Sequence, residues 1–357
     1  MPGPAEVQNG AMRPLSLLVL ILAMVSCARP APRPDQVTVI RDYGWDTTVD
    51  EPQPAWNPAS YQVVVRAAGG FAVLDEGKGR QEYFLGQEHR SYAPPVWIDP
   101  RRFVVGSPTN VITTKDGRVV PAAQGVQIVT MRTGANADVR ELGVVGYRPR
   151  PWQDQVVVQV EDKIMIYPPN GKLVEFGPGF YAEPQRQGPG IAWQETPVYD
   201  RDHWTARPAL SDLVIRWRRG AVTTIPRAVE PRWTAAGGVI AYQLDQAPPT
   251  DGKPWWEGVS CRLVHLKGEG GGLVVIGDDL LHADPHPAWP MLAANDREGR
   301  VVLVSLQDGS RRVLAEAGSF PQWSADGRRL LIQETVLAGA QAGRIYLRVY
   351  VLDVAGP

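Results

Sequence analysis

Cysteine is nearly absent: Cys27 and Cys261 are the only two in 357 residues, so no disulfide framework staples this fold. An excess of charge of one sign is missing as well. Lys and Arg number 37 against 38 Asp and Glu, a formal net charge of -1, with no long basic run. The attraction to phosphate backbones that dominates DNA and RNA binding is therefore lacking, and nucleic acid is not an expected partner. The apolar run at 15–25 rises only about 16 Å as a helix, roughly half of a bilayer's hydrocarbon core, too short to span. Several catalytic signatures are missing too. There is no P-loop and no dinucleotide fingerprint. The nearest approach to a G-x-S-x-G elbow, Gly258-Val259-Ser260-Cys261-Arg262, lacks the second glycine. No cofactor is implied by the residues present.

Apolar material and chain punctuation are plentiful. Hydrophobic residues make up 44% of the chain and charged residues 21%, enough for a sizeable core and unlike a disordered composition. The 36 glycines and 33 prolines fit many short strands joined by turns better than long helices. Tryptophan recurs in a similar setting at Trp56, Trp97, Trp152, Trp193, Trp233, Trp289 and Trp323. A proline stands two places earlier at Pro54, Pro95, Pro231, Pro287 and Pro321. After each Trp come a turn and a β-rich run, as at 61–65, 156–160, 239–244 and 301–306. A period near 40 residues is the mark of propellers. The expectation is an all-β chain, a β-propeller of four-stranded blades, with seven blades favoured and six the alternative.

The last copy, Phe320-Pro321-Gln322-Trp323-Ser324-Ala325-Asp326-Gly327-Arg328-Arg329-Leu330-Leu331, resembles the P-x-W-S-P-D-G-[KR]-x-[IL] motif of TolB-like, WD-like propeller repeats. Weaker echoes stand at Pro54-Ala55-Trp56-Asn57-Pro58-Ala59 and Pro231-Arg232-Trp233-Thr234. In such a motif the Asp-Gly pair makes a tight turn, with Gly supplying the positive φ, and the Trp seals one blade against its neighbour. The final repeat runs out of chain before a fourth strand. The strand-like segment 36–40 belongs to no earlier Trp and is placed to supply that strand and close the ring.

At the N-terminus, Met24-Val25-Ser26-Cys27 follows the apolar run and resembles the lipobox of bacterial lipoproteins, which implies that Cys27 is acylated and becomes the mature N-terminus. A conventional signal peptide cut near Ser26 or Ala28 is the alternative. Met12, followed by Arg13, makes a more typical start than Met1. The domain reading is thus 1–27 lipoprotein signal peptide, 28–35 proline-rich linker and 36–357 propeller. The linker Arg29-Pro30-Ala31-Pro32-Arg33-Pro34 favours an extended spacer. It places the protein on the extracytoplasmic side of the cell envelope, held to the membrane through lipid and otherwise a monomer.

Three clusters are candidate sites. His282, Asp284 and His286 alternate along an extended stretch and would share a face suited to a metal ion. Trp255 and Trp256 sit in the longest insertion of the fifth repeat, where one ring could remain outward for a sugar or protein contact. Asp200, Asp202 and His203 share a loop with Arg201 and Trp204. Cys261 lies in an alternating stretch and reads as a buried, inert thiol. The function expected is a non-catalytic binding or scaffold module that recognises an envelope protein or glycan. The alternative is a propeller hydrolase or lyase with its site at the channel mouth, drawing on His282, Asp284, His286 and His203.

Overall fold

The computed structural model describes residues 32–47, 54–67, 70–84, 95–113, 119–132, 137–145, 147–160, 163–168, 172–186, 188–195, 211–247, 259–335 and 345–354. Apart from a single 3-10 turn at Pro34–Gln36, every regular element among them is a strand. The strands form seven four-stranded antiparallel sheets, so the chain is a seven-bladed β-propeller. From the centre outward, blade 1 is Ala55–Trp56, Gln62–Ala67, Gly70–Asp75 and Gly79–Phe84; blade 2 is Val96–Asp99, Arg102–Thr113, Val119–Met131 and Ala137–Val145. Blade 3 is Tyr147–Trp152, Gln155–Val160, Lys163–Tyr167 and Val174–Pro178; blade 4 is Phe180–Pro184, Ile191–Gln194, Leu213–Arg216 and Val222–Ile225. Blade 5 is Ala228–Trp233, Val239–Leu244, Cys261–Leu266 and Leu273–Gly277; blade 6 is Leu281–Pro285, Met291–Asn295, Val301–Ser305 and Arg311–Ala315.

Blade 7 is built from both ends of the chain. Ser319–Trp323, Arg329–Thr335 and Ile345–Val354 take Val37–Asp46 as their outermost strand, paired antiparallel from Val37↔Val354 to Asp46↔Tyr346. The strand expected to close the ring does so, and it runs ten residues, beyond the segment 36–40. Each innermost strand also contacts the innermost strand of the next blade all the way round, from blade 1 through blade 7 and back. A second lock lies at the seam. The Arg329 side chain of blade 7 pairs with Glu76 of blade 1 at 2.9 Å and lies over the Tyr61 ring, while the Tyr61 hydroxyl donates to Asp326 at 2.7 Å.

The middle strands read as continuous apolar runs because both of their faces are covered by neighbouring blades. Val63–Val65, Val156–Val158, Val301–Val304 and Leu330–Ile332 are buried in this way. Between blades 1 and 2, Phe103 meets both Phe71 and Trp97 edge-on at 5.4 Å, the geometry aromatic quadrupoles prefer.

The tryptophan series marks the register in four blades and departs from it in three. Trp56, Trp97 and Trp233 each send the indole N–H back to the preceding blade's innermost strand, to the carbonyls of Gln322, Ala55 and Glu183 at 2.9–3.0 Å. Trp323 occupies the same position. Trp152 instead donates forward, to Gly188 of blade 4 at 3.0 Å. Trp193 stands on the second strand of blade 4, and Trp289 in the turn between the first two strands of blade 6. In blades 4 and 6 the register position belongs to Pro184 and Pro285, so the count of seven tryptophans matches seven blades for a reason other than one Trp per motif.

Candidate functional site at the central channel

The innermost strands share a defect that shapes the channel. In blades 4 to 7 the pairing with the second strand slips after Phe180, Val229, Leu281 and Ser319. The next residue in each case, Tyr181, Glu230, His282 or Phe320, has φ between 50 and 52°, a left-handed conformation that non-glycine residues rarely adopt. Blade 3 slips at the equivalent place, after Tyr147. Such strained bulges recur where a fold re-aims side chains for function. The bulge re-aims two sets here: the residue at positive φ and the residue that resumes pairing two places later.

The second set forms a charged arc. Arg150, Glu183, Arg232 and Asp284 resume the ladder in blades 3, 4, 5 and 6, in alternating sign, and Gln322 follows in blade 7. Glu183 is the hub: its Oε2 lies 3.1 Å from Arg150 Nε and 3.4 Å from Arg232 Nη1. Asp284 Oδ2 accepts the Trp323 main-chain N–H at 2.7 Å, tying blade 6 to blade 7. Burial pushes the Asp284 carboxyl up to about 6, against the Trp323 amide and the Arg232 charge, which favour ionisation. Burial works against the Arg232 charge as well, but Glu183, Glu230 and Asp284 outweigh it and hold the guanidinium above its ordinary value. Arg186, exposed in the turn after the innermost strand of blade 4, is lowered by desolvation and partly restored by Asp284.

The residues at positive φ make a second tier. The His282 and Phe320 rings lie against one another, tilted by 42° with centroids 4.0 Å apart, and Phe320 remains 38% exposed. Behind His282, the Ala283 N–H donates to the Tyr242 hydroxyl at 2.7 Å. Antiparallel order fixes where this tier lies. Each innermost strand begins on the face where the second strand of its blade ends and the third begins. Blade 2 raises a two-stranded ribbon on that face. Its pairs from Thr109↔Ala122 to Thr113↔Val119 extend past the inner and outer strands, a reach of about 13 Å at 3.3 Å per residue. The strand ends Gln194 and Leu213 of blade 4 and Leu244 and Cys261 of blade 5 stand on the same face.

The proposed His282, Asp284, His286 triad does not converge. Strict alternation requires uniform extended backbone, and the positive φ at His282 breaks it. His282 packs on Phe320, whereas Asp284 joins the channel arc. His286 is buried against Trp323, accepts the Ala288 and Trp289 N–H groups on Nδ1 at 3.1 and 2.9 Å, and places Nε2 3.2 Å from the Gly327 carbonyl. Gly327 fits this contact doubly, since its φ is +71° and a Cβ there would lie 2.2 Å from the imidazole. Burial pushes both imidazoles down to about 4, so both are neutral near pH 7. Among the described residues no group of three or more His, Cys, Asp or Glu is placed to hold a metal ion. Cys261 is buried in its strand and its thiol is pushed up to about 11 by burial, the inert state expected for it. Cys27, Asp200, Asp202, His203, Trp255 and Trp256 lie outside the described residues.

The sequence signal that would have found the charged arc is the residue immediately before the motif Trp: Arg232 before Trp233 and Gln322 before Trp323. In blades 3, 4 and 6 that signal is hidden, because Pro151, Pro184 and Pro285 take the place of the Trp.

No protein-family model matches this chain, and no curated protein matches it in sequence. Solved structures match in shape. A chain of Kuenenia stuttgartiensis hydrazine synthase superposes with a TM-score of 0.53 at 11% identity, covering 86% of this chain and 97% of that one. Oligogalacturonate lyase in complex with manganese gives 0.53 at 12% identity, covering 92% and 94%. A chain of the mitotic checkpoint complex gives 0.55 at 10% identity, covering 91% and 98%. Enzymes and an assembly component thus share the fold, and at such identities the likeness extends to the fold alone.

Proposed function

We propose that this chain is a membrane-anchored, non-catalytic propeller lipoprotein of the bacterial cell envelope, acylated at Cys27, that binds another envelope component, protein or glycan. Recognition is assigned to the channel mouth on the face where the innermost strands begin. The observation that carries this reading is the alternating arc of Arg150, Glu183, Arg232 and Asp284 beneath the aromatic tier of Tyr181, His282 and Phe320. Glu183 already engages two guanidiniums, and both imidazoles are held neutral. A fixed set of charges and ring faces serves orientation and complementarity, the work of a recognition surface.

One observation favours the second reading, an enzyme at the same mouth: a carboxyl at Asp284 raised to about 6 beside Arg232 has the poise of an acid-base group. Crosslinking and pull-down from native membranes separate the two. The binder predicts one partner recovered with the wild-type chain and lost with the Arg186→Ala, Phe320→Ala double variant. Recovery of no partner, together with turnover that Asp284→Asn abolishes, sinks the binder. The anchor is checked on its own by Cys27→Ser, which is expected to release the protein from membranes and remove the acyl mass.

A further inference from the structure

A slip in an innermost strand takes main-chain N–H groups off the ladder, and a buried N–H without an acceptor is costly. In three blades the acceptor is a side chain of the blade before. Gln159 Oε1 of blade 3 accepts the Tyr181 N–H of blade 4 at 3.1 Å. The Tyr242 hydroxyl of blade 5 accepts the Ala283 N–H of blade 6, one residue past His282, at 2.7 Å. Asn295 Oδ1 of blade 6 accepts the Phe320 N–H of blade 7 at 3.1 Å, and its Nδ2 donates to the Gly318 carbonyl at 2.7 Å. The Asn295 amide thus brackets residues 318–320 as the main chain of a paired strand would.

The three side chains share one address in the fold. Each lies opposite the last residue paired before its own blade slips, in the pairs Tyr147↔Gln159, Val229↔Tyr242 and Leu281↔Asn295. Each also follows a buried apolar run of a second strand, at 156–158, 239–241 and 291–294, and is itself buried. A buried polar group at the end of such a run is unfavourable unless it is hydrogen-bonded, and here the bond reaches into the next blade. Gln194, opposite Phe180 in blade 4, is buried at the same address and precedes the slip of blade 5. Gln333 supplies the contrast: it stands opposite Ser319 in blade 7 but is only half-buried, and it precedes blade 1, whose described inner pairs carry no slip.

We propose that Gln159, Tyr242 and Asn295 are positioning residues of the channel mouth, each holding the bulge of the following blade and so aiming Tyr181, His282 and Phe320. The left-handed backbone at these three is then imposed from the neighbouring blade. His282 and Phe320 meet because two successive holders act: Tyr242 fixes the strand that carries His282, and Asn295 fixes the strand that carries Phe320. Their part in recognition rests on the reading of the mouth as a binding site; the holding of the bulges does not.

Amide hydrogen exchange on the full-length chain tests the holding, because each variant should act one blade further on. Tyr242→Phe, which removes only the hydroxyl, is expected to speed exchange at Ala283 about tenfold and leave Tyr181 unchanged. Asn295→Leu should do the same at Phe320, and Gln159→Leu at Tyr181. Gln159→Glu keeps an acceptor oxygen and is expected to restore the wild-type rate at Tyr181. Val73→Ala, a core truncation in blade 1, should leave all three sites as they are. The aim of the side chains is read from the His282 Hε1 resonance, which the Phe320 ring displaces; Asn295→Leu should move it towards the free-imidazole position and Val73→Ala should not. Exchange that is unchanged, or that quickens equally at all three sites, overturns the proposal, as does Gln159→Glu behaving like Gln159→Leu. If the wild-type chain recovers no partner from membranes, the binding reading fails and exchange alone decides the holding. If a partner is recovered equally by wild type, Tyr242→Phe and Asn295→Leu despite faster exchange, the part of these residues in recognition is overturned.

Discussion

The two arcs of the ring are held together in different places. Across blades 3 to 5 the innermost strands are cross-linked at the channel, where Glu183 bridges Arg150 and Arg232. From blade 7 to blade 1 the tie moves outward: Arg329 reaches Glu76, and the N-terminal strand completes the outer rim. In blades 1 and 2 the residues before the motif Trp are Ala55 and Val96, which pack into the adjacent interfaces. One arc therefore spends its central positions on charge and the other on packing. A closed ring needs every interface sealed, and chain closure already locks the seam between blades 7 and 1. The arc that lies away from the closure is the one that carries ionic groups at the centre, where a ligand would meet them.

The largest expected effect comes from breaking the charged arc at its hub. Glu183→Ala leaves Arg150, whose side chain is 12% exposed, without its carboxylate, and lowers Arg232 as well. Stripping a buried pair of one partner costs about 4 kcal/mol, read by urea denaturation. Replacing Arg150, Glu183 and Arg232 together by Met, Leu and Met should cost far less, because no charge is left stranded. If the single variant proves as stable as wild type, the arc is a surface feature and not a buried network.

Acid should loosen the blade 6 to blade 7 interface through His286. Its folded pKa of about 4 lies below the ordinary 6.5, so the unfolded chain binds the extra proton between those values. Stability from this site is present in full above about pH 6.5 and is lost as pH falls towards 4, up to about 3 kcal/mol. The mechanism is geometric: a protonated Nδ1 can no longer accept the Ala288 and Trp289 N–H groups. Asp284 acts in the opposite sense. Its raised folded pKa means the native state binds the proton more readily, so its contribution rises as pH falls from about 6 to 4. His286→Asn, which keeps an acceptor near the Nδ1 position, should flatten the acid limb of the stability profile relative to wild type. Identical profiles would remove His286 from the account.

The seam gives a smaller effect. Glu76→Ala deprives Arg329 of its carboxylate, but the guanidinium keeps its place over the Tyr61 ring, and Glu76 is itself partly solvated. About 2 kcal/mol is expected by thermal denaturation, half the cost at the channel hub. An equal or larger loss would show that closure, not the charged arc, bears more of the ring's stability.

Much of this architecture was legible in the sequence, and the illegible part has a single physical cause. The Asp326-Gly327 turn, the proline before Trp233 and Trp323, and the strand-like N-terminal segment each follow from local backbone preference, which a sequence displays directly. The charged arc does not. Its members are separated by 33, 49 and 52 residues, from Arg150 to Glu183, Arg232 and Asp284. They share a position only once the bulges are known. The bulge is also what misdirects the reading of His282, Asp284 and His286: a left-handed residue costs about 1 kcal/mol and is held by the surrounding blades, not by its own identity. Tyr181, Glu230, His282 and Phe320 have no common chemistry that would announce it.

The smallest effect tests the motif tryptophan itself. Trp323 sits in the most typical repeat of the sequence, yet its buried indole N–H has no hydrogen-bond partner among the described residues, whereas Trp56 donates to Gln322 at 3.0 Å. Both rings are nearly fully buried, so replacing either by Phe removes similar area. Trp56→Phe additionally strands the Gln322 carbonyl and should cost about 1 kcal/mol more than Trp323→Phe. The difference between the two variants, measured by chemical denaturation, isolates the hydrogen bond from the ring. A zero difference would mean that the motif Trp works by packing alone in every blade, and that the three backward-pointing indoles are a consequence of the register rather than one of its causes.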